Sequence, residues 1–276
     1  MRSALLVLVA LPAACLLVRD VDDLEREARD GGNGALADAA GDADAEPAFV
    51  CGGDAGPRGV RIGNAAACID ATEVTVADYR AFHDACNGRP CPQPATCAWN
   101  RSFTPTEFGL PPPSDDRLPM RNVDWCDAAA YCTWAGKRLC GGSGNATLTT
   151  ADGAALALSL WYQACVADDS RRTYPYGDGR KYDPNACNGG DLDAGEVRPV
   201  GSLAGCEGGF PGIFDLLGNV REWEDACDDA GTDDARTCLV RGGAFYDIGF
   251  TLACGNRQTE PVTRQAPGLG FRCCSF

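Results

Sequence analysis

Gly212-Ile213-Phe214-Asp215-Leu216-Leu217-Gly218-Asn219-Val220-Arg221-Glu222-Trp223 is the stretch on which the reading of this chain turns. Two carboxylates, Asp215 and Glu222, flank a Gly-Asn step set among large apolar residues. Taken alone, they cap a turn and pair with an arginine. Upstream lies Arg198-Pro199-Val200-Gly201-Ser202, and downstream Val240-Arg241-Gly242-Gly243-Ala244-Phe245 and the closing Gly268-Leu269-Gly270-Phe271-Arg272-Cys273. Two earlier segments read as helices. After the β-like run of Cys68-Ile69-Asp70-Ala71-Thr72-Glu73-Val74, Thr75 is an N-cap for an amphipathic helix reaching about Cys86, with Tyr79 and Phe82 on one face. Between Leu118 and Leu139, Asp124 caps a helix whose Ala130, Tyr131 and Trp134 form an apolar stripe, and Gly136 suits the left-handed residue after its end.

In this order and spacing, the blocks resemble the sulfatase-modifying-factor family, whose founding members are the formylglycine-generating enzymes. The family's hallmarks are D-x-T-E-V-T, W-x-D-A-x-A-Y-C-x-W-x-G-K-R-L, P-V-G-S, G-L-Y-D-M-x-G-N-V-W-E-W, R-G-G-S-W and a terminal G-F-R. The matched blocks run over about residues 52–274. The resemblance implies an α+β fold, the formylglycine-generating-enzyme fold related to C-type lectins, loop-rich and disulfide-dense.

The resemblance also implies site residues. Calcium would be held at Asp215, Gly218, Val220 and Glu222, through side-chain oxygens and backbone carbonyls that suit a hard cation. A second calcium site would use Asn188 with Asp191 or Asp193, of which we take Asp193. On this reading Glu222→Ala lowers thermal stability only when calcium is present. Copper would sit between two nearby cysteines. Counting back from Gly270-Phe271-Arg272, the second falls on Cys254 and the first on Gly249, which has no sulfur. Cu(I) needs paired soft donors, so Cys254 alone binds it weakly. Cys254 is then either a reactive thiol or a structural half-cystine. Arg221 and Phe245 stand where the family has tryptophans. The ergothioneine-synthase branch, which binds iron through several histidines, is not expected, since His83 is the only histidine in the chain.

The rest of the chain supplies an address. Arg2 followed by the apolar run Ala4–Val18 reads as an export signal over residues 1–18, too short to span a bilayer, which takes roughly 20 residues. Cys15, directly after Ala13-Ala14, resembles the lipobox cysteine of bacterial lipoproteins; cleavage and secretion is the alternative. Residues 19–50 are Asp-, Ala- and Gly-rich, an acidic linker that cannot bury enough surface to offset its ordering entropy. Setting Cys15 aside leaves sixteen of the 17 cysteines, all within the domain at 51–276, with no Cys-x-x-Cys pair. That even number, behind an export signal, implies disulfides rather than zinc. A net charge of −15 excludes nucleic acid as a partner, because phosphate backbones need a basic face.

Together these readings describe an exported lipoprotein or secreted protein at a bacterial cell envelope. Its partners would be a protein or glycan ligand, with the membrane reached through a lipid on Cys15. The leading expectation is a catalytically degenerate, calcium-stabilised binding or structural module. The alternatives are an active oxidoreductase converting a protein cysteine to formylglycine with O2, and a lectin-like carbohydrate-binding domain.

Overall fold

Thr75 and Asp124 start the two longest helices of the structure, a computed structural model that describes residues 50–86, 88–105, 115–167, 169–193, 195–228 and 232–276. The export segment, Cys15 and all of the acidic linker but Val50 lie outside the described residues. Helix α1 (Val76–Cys86) opens on a reciprocal cap: Thr75 Oγ1 accepts from the Asp78 N–H at 3.1 Å, and the Asp78 carboxylate accepts from the Thr75 N–H at 3.1 Å. Asp124 and Asp127 repeat the device on α2 (Trp125–Trp134). Each cap satisfies backbone donors that a helix end leaves orphaned, typically worth about 1 kcal/mol. Gly136, at φ 70°, turns the chain away after α2.

Helix α1 buries the face that its period marks out, including Tyr79 and Phe82. Helix α2 departs from a simple stripe: Trp125 to Cys132 are buried without a break, while Trp134 is only half-buried. It lies inside an aromatic core in which Tyr131 meets Tyr79, Phe82 and Phe271 at ring distances of 5.9, 5.7 and 5.3 Å. A second core gathers Trp161, Leu160, Ile213, Leu216 and Leu217, with Leu160 and Trp161 supplied by the short α4 (Leu160–Val166), which follows α3 (Thr150–Ala154).

Strands are short, as the Gly- and Pro-rich composition dictates. One sheet pairs β1 (Gly59–Arg61), β2 (Cys68–Asp70), β8 (Cys273–Ser275) and β3 (Arg138–Leu139), in that order and antiparallel. The other runs β6 (Arg257–Pro261), β5 (Thr237–Arg241), β4 (Arg221–Cys227) and β7 (Leu269–Gly270), with only β4 and β7 parallel. The architecture is the expected loop-rich α+β one.

Eight disulfides staple it: Cys51–Cys68, Cys86–Cys91, Cys97–Cys126, Cys132–Cys273, Cys140–Cys274, Cys165–Cys254, Cys187–Cys206 and Cys227–Cys238. Such density fits an oxidising compartment, exported or lumenal. Among the described residues no helix is long and apolar enough to cross a membrane.

Candidate functional site

Positive φ at Asp215 (56°), Gly218 (77°) and Asn219 (59°) coils the 215–219 stretch into a tight loop before β4 begins. Asn219 then fastens a distant segment onto it. Its N–H donates to the Asn188 carbonyl at 2.8 Å, and its Oδ1 accepts from Asn188 Nδ2 at 3.0 Å and from the Arg198 N–H at 2.9 Å. Only glycine fits at 218, since a Cβ there would lie 2.4 Å from the Asn188 carbonyl oxygen. The structure thus joins the two regions read as calcium sites, Asn188 and Asp215–Glu222, through a residue that the sequence reading did not single out.

Glu222 is fully buried, and its carboxylate is engaged. Arg272 donates through Nε to Oε2 at 2.7 Å and through Nη2 to Oε1 at 2.8 Å, and Trp161 Nε1 donates to Oε2 at 2.7 Å. Asp215 accepts from the Gly201 N–H at 2.5 Å. Nearby, Asp70 pairs with Lys137 Nζ at 2.6 Å and accepts from the Cys273 N–H at 3.0 Å. Glu73 completes the group. It is fully buried, and neither of its carboxylate oxygens meets a donor.

Four carboxylates therefore share two cations, Lys137 and Arg272. An uncompensated charge away from water is expensive, so the excess must be neutralised by protons or by a cation. Burial, followed by the charge of Asp215, pushes Glu73 well above the usual carboxylate range. Burial also lifts Asp215 to about 6, and raises Asp70 to about 6 although Lys137 pulls the other way.

The residues fit calcium in part. Glu73 offers two free acceptors beside Asp215, and Asn188 Oδ1 is a buried acceptor with no donor. Both are what an oxygen-seeking cation would use. Glu222 does not fit as a free ligand, because Arg272 and Trp161 hold both of its oxygens. Asp193 is exposed, at the left-handed end (φ 55°) of a short turn, whereas Asp191 is spent on Tyr182 Oη at 2.6 Å and the Gly249 N–H at 3.1 Å. Among the described residues no three of His, Cys, Asp and Glu gather at metal-ligand spacing. Calcium here would therefore depend on backbone carbonyls such as those of Gly218 and Val220. Glu73 escaped the sequence reading, although an acid between the apolar Ala71 and Val74, both buried, is a signal that could have found it.

Copper does not fit. Cys254, the candidate thiol, is buried and bridged to Cys165, and all sixteen cysteines from Cys51 to Cys274 are paired, so these residues leave no thiolate. Gly249 sits in a short surface turn, Gly249–Thr251. The neighbouring loop is pinned by Arg221, which pairs with Asp247 at 2.9 and 3.0 Å and lies 5.3 Å from the Tyr246 ring centre.

Two short sheets, capped helices and a Gly-Asn loop over buried carboxylates define a domain of the sulfatase-modifying-factor type. The sequence matches the sulfatase-modifying factor enzyme 1-like domain over residues 31–275, and the chain belongs to that family. It is similar to the formylglycine-generating enzyme of Mus musculus, 26% identical over 182 residues, covering 57% of this chain and 44% of that protein. It is 30% identical over 180 residues to the inactive C-alpha-formylglycine-generating enzyme 2 of Bos taurus, covering 57% and 50%. A hercynine oxygenase of Mycolicibacterium thermoresistibile is 34% identical over 133 residues, 45% of this chain and 24% of that one. The chain spans half or less of each of these relatives. Among solved structures, the crystal structure of CarF shares the fold, with a TM-score of 0.51, 17% identity and coverage of 82% of this chain and 96% of that one.

Proposed function

We propose that this domain is an exported member of its family that no longer generates formylglycine. On this reading it is held to the cell envelope through a lipid on Cys15 and acts as a calcium-stabilised binding or structural module for a protein or glycan. One observation carries the proposal: the candidate thiol Cys254 is closed onto Cys165. Oxidising a client cysteine at copper needs a pair of soft donors, and the described cysteines provide none. Arg221, locked to Asp247 and Tyr246, adds support, because a charged, immobilised side chain replaces an aromatic wall. The test is to incubate the purified full chain with a cysteine-containing sulfatase peptide, copper and O2, and to read the peptide mass. No aldehyde is expected, and its appearance overturns the proposal. Calcium is tested separately by melting the protein in calcium and in chelator; identical curves remove calcium from the reading.

A further inference from the structure

The end of α1 forms a recess that shares no residue with the carboxylate cluster. A cavity of about 250 Å3 is lined by His83, Arg89, Arg101, Ser102, Phe103 and Thr104, among others. Its walls are fixed from below. The Cys86–Cys91 bridge closes a short loop that turns at Gly88 (φ 68°), and the Arg89 N–H donates to the Cys86 carbonyl at 3.0 Å. Opposite, Tyr79 Oη donates to the Phe103 carbonyl at 2.8 Å, the Phe103 ring lies 5.1 Å from Phe82, and Ser102 Oγ accepts from the Thr104 N–H at 3.1 Å. His83 stands between the walls. Its Nε2 is 3.0 Å from Thr104 Oγ1, while its Nδ1 is buried without a hydrogen bond.

Charge decides what such a recess takes. Neither the Arg89 nor the Arg101 side chain has an acceptor among the described residues. Asp84 is the acid beside His83, but its carboxylate is 3.8 Å from Nδ1 and largely in solvent. The carbonyls at the end of α1 present about half a negative charge, against two whole positive ones. When the Thr104 hydroxyl donates to Nε2, Nδ1 carries the ring proton, and no acceptor among the described residues takes it within hydrogen-bond distance.

The structure assigns this recess as a binding site for a small organic anion. One carboxylate, phosphate or sulfate group is held between Arg89 and Arg101, with hydroxyl and imidazole donors, and its apolar body lies against Phe103. The assignment stands whether or not the domain retains catalysis.

The experiment is calorimetric titration of the full chain at low ionic strength with acetate, inorganic phosphate, inorganic sulfate and phenyl phosphate. At least one of the four binds, phenyl phosphate tighter than inorganic phosphate. Arg89→Ala and Arg101→Ala each weaken binding at least about tenfold, as loss of a charge-assisted hydrogen bond requires. Arg180→Ala, which removes an exposed arginine from outside the recess, leaves binding unchanged. Absence of binding by all four probes overturns the assignment. So do equal losses in the Arg180 and Arg89 variants, which would show a diffuse charge effect, and equal affinity for phenyl and inorganic phosphate.

Discussion

Replacing Cys165 and Cys254 together by alanine separates a structural cystine from a catalytic thiol. The bridge joins residues 89 positions apart and buries both sulfurs completely. In the chain-entropy description, closing a loop of that length removes about 4–5 kcal/mol of unfolded-state freedom. The native backbone keeps some hold of its own, because the Cys254 N–H donates to the Thr173 carbonyl at 2.9 Å. We therefore expect a loss of about 4 kcal/mol, which for a domain of this size lowers the melting temperature by roughly 8–16 °C. Thermal unfolding followed by circular dichroism measures it. Alkylation of the native, unreduced protein followed by mass spectrometry should leave Cys254 unmodified. The single Cys165→Ala variant frees the Cys254 thiol and should bind copper only weakly, since one sulfur is one donor. Alkylation of Cys254 in the untreated protein, or a double variant that melts where the parent does, would refute the reasoning.

Glu73→Gln removes the buried carboxylate that has no partner, so it should raise the melting temperature in chelator and shrink the gain on adding calcium. An unchanged calcium shift argues against Glu73 as a ligand. Glu222→Ala strands Arg272 in the core and should cost about 3–5 kcal/mol in chelator and in calcium alike. That outcome differs from the calcium-only loss expected from sequence, because the arginine depends on the carboxylate with or without a metal. Burial lifts Asp124 to about 6, so between about pH 4 and 6 the folded state keeps a proton that the unfolded state releases, and stability falls as pH rises through that window. Asp124→Asn preserves the cap and should gain relative to the parent in urea midpoint between pH 4 and pH 7; an equal difference at both pH values contradicts this. Gly218→Ala should lose more than about 1 kcal/mol in urea titration, given its positive φ and the Asn188 carbonyl in the way.

What was legible in the sequence was local. Thr75 and Asp124 announce α1 and α2 because an N-cap is written next to the apolar stripe it starts, and the structure adds the reciprocal partners Asp78 and Asp127. Pairing of the strands was not legible. Runs as short as Arg138–Leu139 and Leu269–Gly270 carry no usable alternation, and their partners lie far away in the chain. Cysteine parity announced that Cys254 could close into a bridge, but its partner depended on where α4 packs. Likewise, the carboxylates of the Gly212–Trp223 stretch suggested pairing with an arginine. That Arg272 reaches Glu222 from 50 residues further along the chain is a property of the assembled core. Glu73 had a local signal in its apolar neighbours Ala71 and Val74, but its lack of donors exists only in the assembled core.

Cys273 and Cys274 are neighbours on β8, so their side chains leave the strand on opposite sides, one bridging to Cys132 in α2 and the other to Cys140 just past β3. The two earlier cysteines must therefore wait, unbridged, for partners 141 and 134 residues further along. At ordinary rates of synthesis that is a delay of roughly 7–30 s. During it, Cys126, Cys132 and Cys140 lie close together in the chain and can join wrongly. Oxidative maturation of this domain thus cannot finish until the last strand arrives, and any early mispairing has to be reversed by thiol exchange before Cys273 and Cys274 can close.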